Sequence, residues 1–516
     1  MGIGKALGVA AAVLSLATAA CAAPDEARIA QGALRGVIAG DVVSFKGIPF
    51  AAPPVGALRW RAPQAPPHWD GVRDASAFGP SCMQMSNGGN FGAVANQSED
   101  CLTLNVFAPA NRPAGAKLPV MVWIYGGAFT QGGSARYDGT SFARDGVVYV
   151  SLNYRLGRLG FFAHPALART SPDGALADFG LADQIAALKW VRANISAFGG
   201  DPDNVTIFGE SAGGISVNFL MIAKPARGLF NRAISESGFG RSRPRPLADA
   251  QKIGADFIET LGVTGDDAAA AKAMRALSAQ QLSRPNGGIG DPTGPGPIQD
   301  GVIVTEDTGQ GFADGDQARV PYLAGGNSFE ASLFRSALTN PEGVLGRLPH
   351  RDAALALYGG GDPAKAAAAI TTFATVIEPD RYLARQQARA GQPAYVYYFS
   401  YLPQSLRPTA MGVMHGGEIF YVFQMLPTAP IDRGPFHFPA ATPDDEKIAR
   451  SIHAYWVAFA KTGDPGSAGG PRWPQAGADD TVLEFGDDGP VVRPHFDAAE
   501  LDPLTAVADA NGGAAR

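Results

Sequence analysis

The chain has little cysteine and little histidine: three and seven residues respectively among 516. Neither is arranged to hold a metal. There is no His-x-x-x-His pair and no cysteine cluster with ligand spacing, so no metal is expected. No glycine loop ends in Gly-Lys-Ser/Thr, so a phosphate-cradling nucleotide site is not expected either, and no cofactor is implied. Basic runs are missing too. Lys+Arg number 42 against 48 Asp+Glu, a net charge of −6. Without a basic stripe, nucleic acid is excluded as a partner. Beyond the N-terminus no stretch of about 18 uninterrupted apolar residues occurs, which argues against a stable membrane span. No internal repeat is visible. Nothing in the sequence bears on oligomeric state.

What is present is a large apolar fraction, 46% against 17% charged. That suits a sizeable core and excludes a disordered chain. The 65 glycines and 40 prolines imply many loops. The N-terminus, "MGIGKALGVAAAVLSLATAACAAPDEA", runs from one lysine through an apolar stretch to small residues. This reads as a signal peptide over residues 1–23, hence an exported protein, periplasmic or secreted. Cys21 follows Thr18, Ala19 and Ala20. A lipoprotein cysteine would ordinarily have a Leu-like residue where Thr18 stands, so a lipid anchor has weak support. In an exported chain the other two cysteines, Cys82 and Cys101, suggest a disulfide, with two free buried thiols as the alternative. Closing that loop would contribute roughly 3 kcal/mol.

Residues 33–50 alternate and turn like a β-hairpin. The proline-rich stretch that follows can hold neither a central strand nor a helix interior. Short apolar runs at 118–125, 147–154, 205–208, 232–237, 320–326 and 394–401 read as buried strands. Between them, 178–198 and 445–463 carry apolar residues at helical spacing. Strands alternating with helices predict an α/β fold around a mostly parallel sheet, with antiparallel strands at the N-terminal side. We expect one domain over residues 24–505 and a flexible tail over 506–516, with a Gly/Pro loop at 285–299.

One short segment carries chemistry. "VTIFGESAGGISV" is a strand, then Gly209-Glu210-Ser211-Ala212-Gly213, then a helix. Gly-x-Ser-x-Gly in that setting is a nucleophile elbow. Glycines flank the serine because a side chain there would strike the neighbouring strand or helix. The hydroxyl then stands above a helix N-terminus, whose dipole favours developing negative charge.

A serine hydroxyl needs a base, and the base needs an orienting carboxylate. In this arrangement both lie downstream, acid before histidine. Among the histidines downstream of Ser211, four come into consideration. His453 falls in the amphipathic helix and suits packing, His350 precedes a helix, and His437 is bracketed by prolines. His415, in a glycine-flanked loop, is best placed to reach across a site. Glu330 follows an apolar strand and is the candidate acid, unless it is a solvated loop residue. An oxyanion hole needs backbone N–H groups. Gly126, Gly127 and Ala128 end a strand, and Ala212 follows the serine, so Gly127, Ala128 and Ala212 are the candidate donors.

The segments "SEDCLTLNVFAP", "FGESAGG", "GIPFAAPPVGALRW", "NYRLGRLGFF", "GLADQIAALKWVRANISAFGGDP" and "YWVAFAKTGDP" together resemble the type-B carboxylesterase family, which includes the cholinesterases. The resemblance spans roughly residues 30–480. It implies an α/β-hydrolase fold and cofactor-free cleavage of small-molecule carboxylic esters. It makes Ser211 the nucleophile, Glu330 the acid and His415 the base, pairs Cys82 with Cys101, and implies ion pairs Arg59–Glu99 and Arg155–Asp183. Two departures stand out. Ala128 replaces a third glycine that the family often has, and Phe329 replaces an Asp often found before the acid. The alternatives are an adhesion-type binding protein that has lost catalysis, and an amidase or lactamase using the same triad. Gly126, Phe129, Phe239 and Phe329 suggest a largely apolar substrate site. Arg241, Arg243 and Arg245 are either a solvated loop or a cradle for an ester with a second, anionic carboxylate.

Overall fold

The computed structural model describes residues 25–84, 94, 96–284, 294–348, 350–433, 436–477 and 479–510. The signal segment with Cys21, part of the Gly/Pro loop (285–293) and the end of the tail (511–516) lie outside the described residues.

An eleven-stranded sheet organises the chain. Its strands are β1 (Val37–Ala39), β2 (Val42–Pro49), β3 (Thr103–Pro109), β4 (Leu118–Ile124), β5 (Val148–Leu152), β6 (Gly200–Glu210), β7 (Arg232–Glu236), β8 (Tyr322–Asn327), β9 (Ala394–Phe399), β10 (Val482–Gly486) and β11 (Gly489–Arg493). The spatial order is β11-β10-β9-β8-β7-β6-β4-β5-β3-β2-β1. From β5 to β10 every pairing is parallel, while β1, β2 and β3 join antiparallel at one edge and β11 at the other. The reversal of order around β4, β5 and β6 puts the C-terminal end of β6 at mid-sheet, where loops converge on a crevice.

The central strands are buried on both faces because helices cover them: β5 and β8 are buried at every residue. This is why they read as continuous apolar runs rather than alternating ones. The helices that matter below are α1 (Phe179–Asn194), α2 (Ala212–Ile222), α3 (Glu378–Arg389), α4 (Ile419–Val422), α5 (Pro443–Thr462) and α6 (Ala498–Ala510). α5 starts where its sequence says it should. Thr442 and Asp445 form a capping box, Pro443 takes the first position, and Gly463 closes the helix in the left-handed region. Such a cap contributes about 1 kcal/mol. α1 is buried over most of its surface, its polar residues being paired internally. Arg155 grips Asp183 in two-pronged fashion at 2.8 and 2.7 Å, and Gln184 donates to Ser216.

Cys82 and Cys101 are bridged. Beside them Arg59 holds Glu99 with two hydrogen bonds. Two expectations need correction. The hairpin expected over 33–50 is confined to β1 and β2; Gly32–Arg35 instead pairs with Glu26–Ile29 and Val72–Asp74 in a separate small sheet. Residues 506–510, expected as flexible tail, complete α6. Ion pairs from Arg381 to Asp502 and from Arg241 to Asp509 hold that helix to the body.

Candidate active site

Ser211 sits between β6 and α2 with φ 57° and ψ −124°, a conformation that L-residues rarely adopt. The flanking glycines permit it by close approach. A Cβ on Gly213 would lie 1.9 Å from the Ile124 carbonyl oxygen, and one on Gly209 would lie 2.6 Å from the same atom. Gly126 presses in from the end of β4; a Cβ there would come within 2.8 Å of the Ser211 Cβ. The Ser211 amide donates to the Glu236 carbonyl at 2.9 Å, which ties the turn to β7. The serine is therefore held in a strained pose by the two neighbouring strands.

Glu330 begins a short 3-10 turn just after β8, fully buried. Its Oε1 accepts from the Asn327 amide at 2.7 Å and from the Ser237 hydroxyl at 2.6 Å. Its Oε2 faces His415 Nδ1 at 2.5 Å. His415 lies in the loop after β9, which is laid onto the Glu330 loop. The Phe329 amide donates to the Val413 carbonyl, Val413 to Ser328 Oγ, and His415 to Ser332 Oγ. The fold thus brings Glu330 and His415 together across 85 residues of sequence. His453 is buried in α5 and bonded to the Val422 carbonyl. His350 stands at the N-cap position of a helix without a side-chain capping bond.

With Nδ1 engaged by Glu330, Nε2 lies on the other side of the ring. His415 is 7% exposed, and its Nε2 makes no hydrogen bond. The Glu210 Oε1 lies 3.0 Å from it, also without a hydrogen bond, so this is a contact between charges rather than a directed bond. Burial pushes the imidazole pKa down, but Glu210 and Glu330 outweigh burial and hold it well above the usual 6.5.

The Gly127 carbonyl accepts from the Thr130 and Gln131 amides, which folds the end of the β4 loop into a turn. Gly127 and the non-glycine residues Ala128 and Phe129 all have positive φ, at 115°, 54° and 59°. Among the described residues the Gly127 and Ala128 amides have no backbone acceptor. Ala212, the first residue of α2, carries one of the unsatisfied N–H groups of a helix start. The aromatic surroundings are uneven. Phe129 is only 4% exposed and packs its ring on Phe161. Phe239 is closer to the chemistry, its ring 6.0 Å from the His415 ring and 6.4 Å from that of Phe334. Phe329 packs in the same cluster as Phe334.

Several residues at this site escaped sequence reasoning. Glu210 was readable only as the variable position inside Gly-x-Ser-x-Gly. Ser237 and Glu236 stand in "SESG", and Glu418 follows His415 by three residues. Glu418 is buried and accepts from the Asn327 side chain; burial, then Glu210, Glu236 and Glu330, push its pKa well up.

Arg241 is not available for the cradle read into Arg241, Arg243 and Arg245. The Arg241 side chain is fully buried, bonded to Glu378 and Asp509 and stacked 3.5 Å over the Tyr382 ring. Arg245 donates to the Gly294 carbonyl. Arg241 thus braces the chain from inside.

The profile of the carboxylesterase family matches residues 23–356 and 360–502. The chain belongs to the carboxylesterase family. It is 36% identical over 481 residues to the fumonisin B1 esterase of Sphingopyxis macrogoltabida, covering 88% of this chain and 85% of that one. It is also 36% identical over 468 residues to the para-nitrobenzyl esterase of Bacillus subtilis (strain 168), covering 86% and 91%. A solved PNB esterase structure superposes with a TM-score of 0.78 at 32% identity, over 93% of this chain and all of that one. The protein has the α/β-hydrolase fold and is a carboxylic ester hydrolase. Among the described residues of this carboxylesterase, no group of three or more His, Cys, Asp and Glu could hold a metal ion, and no helix is long and apolar enough to cross a membrane.

Proposed function

We propose that this carboxylesterase works through a covalent acyl-enzyme on Ser211. The observation that carries the reading is the buried Glu330–His415 contact at 2.5 Å, which engages Nδ1 and turns Nε2 to the other side of the ring, in a chain whose serine is strained at a strand-to-helix elbow. His415 Nε2 takes the Ser211 proton as Oγ attacks the ester carbonyl. The developing oxyanion is met by the amides of Gly127, Ala128 and Ala212. Loss of one such donor typically costs about 2.7–4 kcal/mol of transition-state stabilisation. His415 then protonates the leaving alcohol, and a water attacks the acyl-enzyme by the same route. Glu330 fixes the tautomer and stabilises the imidazolium without taking its proton.

Phe239, Phe329 and Phe334 gather beside the histidine and favour an apolar ester. Gly126 bears on the same site through its contact with Ser211. With Arg241 committed to Glu378 and Asp509, we do not assign a second, anionic group to the substrate. The N-terminal signal pattern and the bridged cysteines support an exported enzyme.

The test is hydrolysis of p-nitrophenyl esters of increasing acyl length by wild type and Ser211→Ala, with fluorophosphonate labelling of both. Turnover and label should be lost together in the variant, and the wild-type label should map to the peptide containing Ser211. Undiminished turnover in Ser211→Ala would end the acyl-enzyme reading.

A further inference from the structure

Glu236 ends β7, in register with Glu210 at the end of β6. Partners in parallel strands project to the same face of a sheet, so the two carboxyl groups are neighbours. Glu236 is fully buried. Its Oε1 accepts from the Trp456 indole N–H on α5 at 2.8 Å, and its Oε2 has no hydrogen-bond partner. The next member of the row, Glu210, has its buried Oε1 3.0 Å from His415 Nε2. A buried carboxyl oxygen with no partner, one place along from a carboxylate already engaged with an imidazole, calls for an explanation. Glu236 is a fully buried carboxyl that one indole N–H serves at Oε1 and no donor or cation serves at Oε2, a setting that disfavours the charged form.

We infer that Glu236 is a positioning residue of the acyl-transfer site, a carboxylic acid kept neutral beside Glu210 so that only Glu210 and Glu330 present negative charge to the His415 imidazole. The inference rests on the reading of His415 as the base. Its chemical sense follows from the charge count. Each carboxylate near the ring favours the imidazolium. Two already hold the pKa well above the usual range. A third would keep the proton on a base that must release it to function. The groups facing Glu236 are Glu210 from β6, Glu418 ahead of α4, Tyr137 from the loop after β4, Tyr397 from β9 and Trp456 from α5. Burial first, and then Glu210, push the Glu236 carboxyl up to about 8, against the opposing pull of the Trp456 hydrogen bond. The neutral form therefore persists through the neutral range and gives way above it.

Two measurements on Glu236→Gln and Glu236→Leu test this. The first is the infrared carbonyl band of protonated carboxyl groups at pH 7, wild type minus variant, followed in wild type through pH 8. One acid band should be absent from each variant and should fade in wild type as pH passes about 8. The second is the pH profile of kcat/KM. Both variants remove the late negative charge, so both should complete their alkaline rise about half a pH unit or more below wild type. Only Glu236→Leu, which leaves Trp456 without an acceptor, should also melt lower. No acid band at pH 7, or an alkaline rise that the variants do not move, would overturn the inference. Ser211→Ala run alongside keeps the two readings apart, because the infrared result does not depend on turnover. Residual activity there would remove the acyl-enzyme mechanism and leave the protonation state of Glu236 to be judged by the band.

Discussion

Gly213→Ala sets two known effects against each other at the catalytic elbow. Gly213 is the second residue of α2, and in an open helix position the change from glycine gains about 1 kcal/mol from backbone entropy. Here the new Cβ would lie 1.9 Å from the Ile124 oxygen, 2.8 Å from the Ile124 carbonyl carbon and 3.0 Å from that of Tyr125. All three are backbone atoms of β4 or the residue after it. They cannot rotate away as a side-chain tip could. Relieving the overlap means moving helix and strand apart by more than an ångström, and Ile124 is the register partner of Gly209 on β6. Inserting a methylene into a packed core costs about 1–3 kcal/mol when side chains can adjust. With only backbone to yield, we expect a net loss of about 3 kcal/mol or more, outweighing the helix-propensity gain. A shift of about an ångström at Ser211, the proposed nucleophile, should also lower kcat/KM on the order of a hundredfold. Gly309→Ala is the control. That residue also sits in a helix, Thr308–Ala313, but its Cβ would meet nothing nearer than 3.4 Å. It should be neutral or stabilising by up to about 1 kcal/mol. Urea midpoints and p-nitrophenyl ester kinetics report on both variants. A Gly213→Ala protein with wild-type midpoint and activity would refute the steric account of the elbow.

Glu210→Gln should lower the pH at which activity rises by about one unit, since it removes one of the two carboxylates that hold His415 above 6.5; an unmoved midpoint would mean that the 3.0 Å contact has no electrostatic effect. The raised imidazole pKa also stabilises the fold fully below the unfolded value of about 6.5 and fades as pH climbs through the higher folded value, so the stability gap between wild type and Glu210→Gln should narrow in alkali. Arg155→Met leaves the fully buried Asp183 without its partner and should cost about 3–5 kcal/mol in urea unfolding, most of it recovered by Asp183→Leu in the same chain. Reducing the Cys82–Cys101 bridge, 19 residues apart in sequence, should cost about 3 kcal/mol, and an unchanged unfolding midpoint in reductant would show that the loop needs no tether.

The sequence was legible where a local pattern has one physical cause. Buried parallel strands read as short apolar runs because both faces are covered, and five of the six expected runs lie within two residues of a strand at each end. The sixth, 205–208, is the core of β6; the strand extends earlier, to Gly200, through polar residues at the sheet's open end, which periodicity could not show. The elbow was legible because its glycines answer to backbone collisions on either side of the serine. The hairpin at 33–50 was misread because alternation says which residues share a face, not which strand will pair with them. Gly32–Arg35 found a partner in Glu26–Ile29.

Charge was the least legible feature, and the reason is physical. Arg241 in "RSRPRP" and the acidic residues of "GES", "SES" and "GGE" all look like solvated surface groups in a linear reading. Their burial is fixed by long-range partners. Asp509 lies 268 residues from Arg241 in sequence, and Trp456 lies 220 from Glu236. The two cases then part ways. Arg241 is neutralised by Glu378 and Asp509, and with Tyr382 beneath it the guanidinium serves as an internal brace. Glu210 lies against His415, and Glu236 and Glu418 lie in the same buried acidic cluster, with no guanidinium or ammonium bonded to them among the described residues. Like charges buried together must shed some of their charge by holding protons. The site therefore combines an imidazole, the proposed base, that carboxylates have made more basic with two acids, Glu236 and Glu418, that burial and crowding have made less acidic, and the working pH of the enzyme should follow from that balance more than from any single member of it.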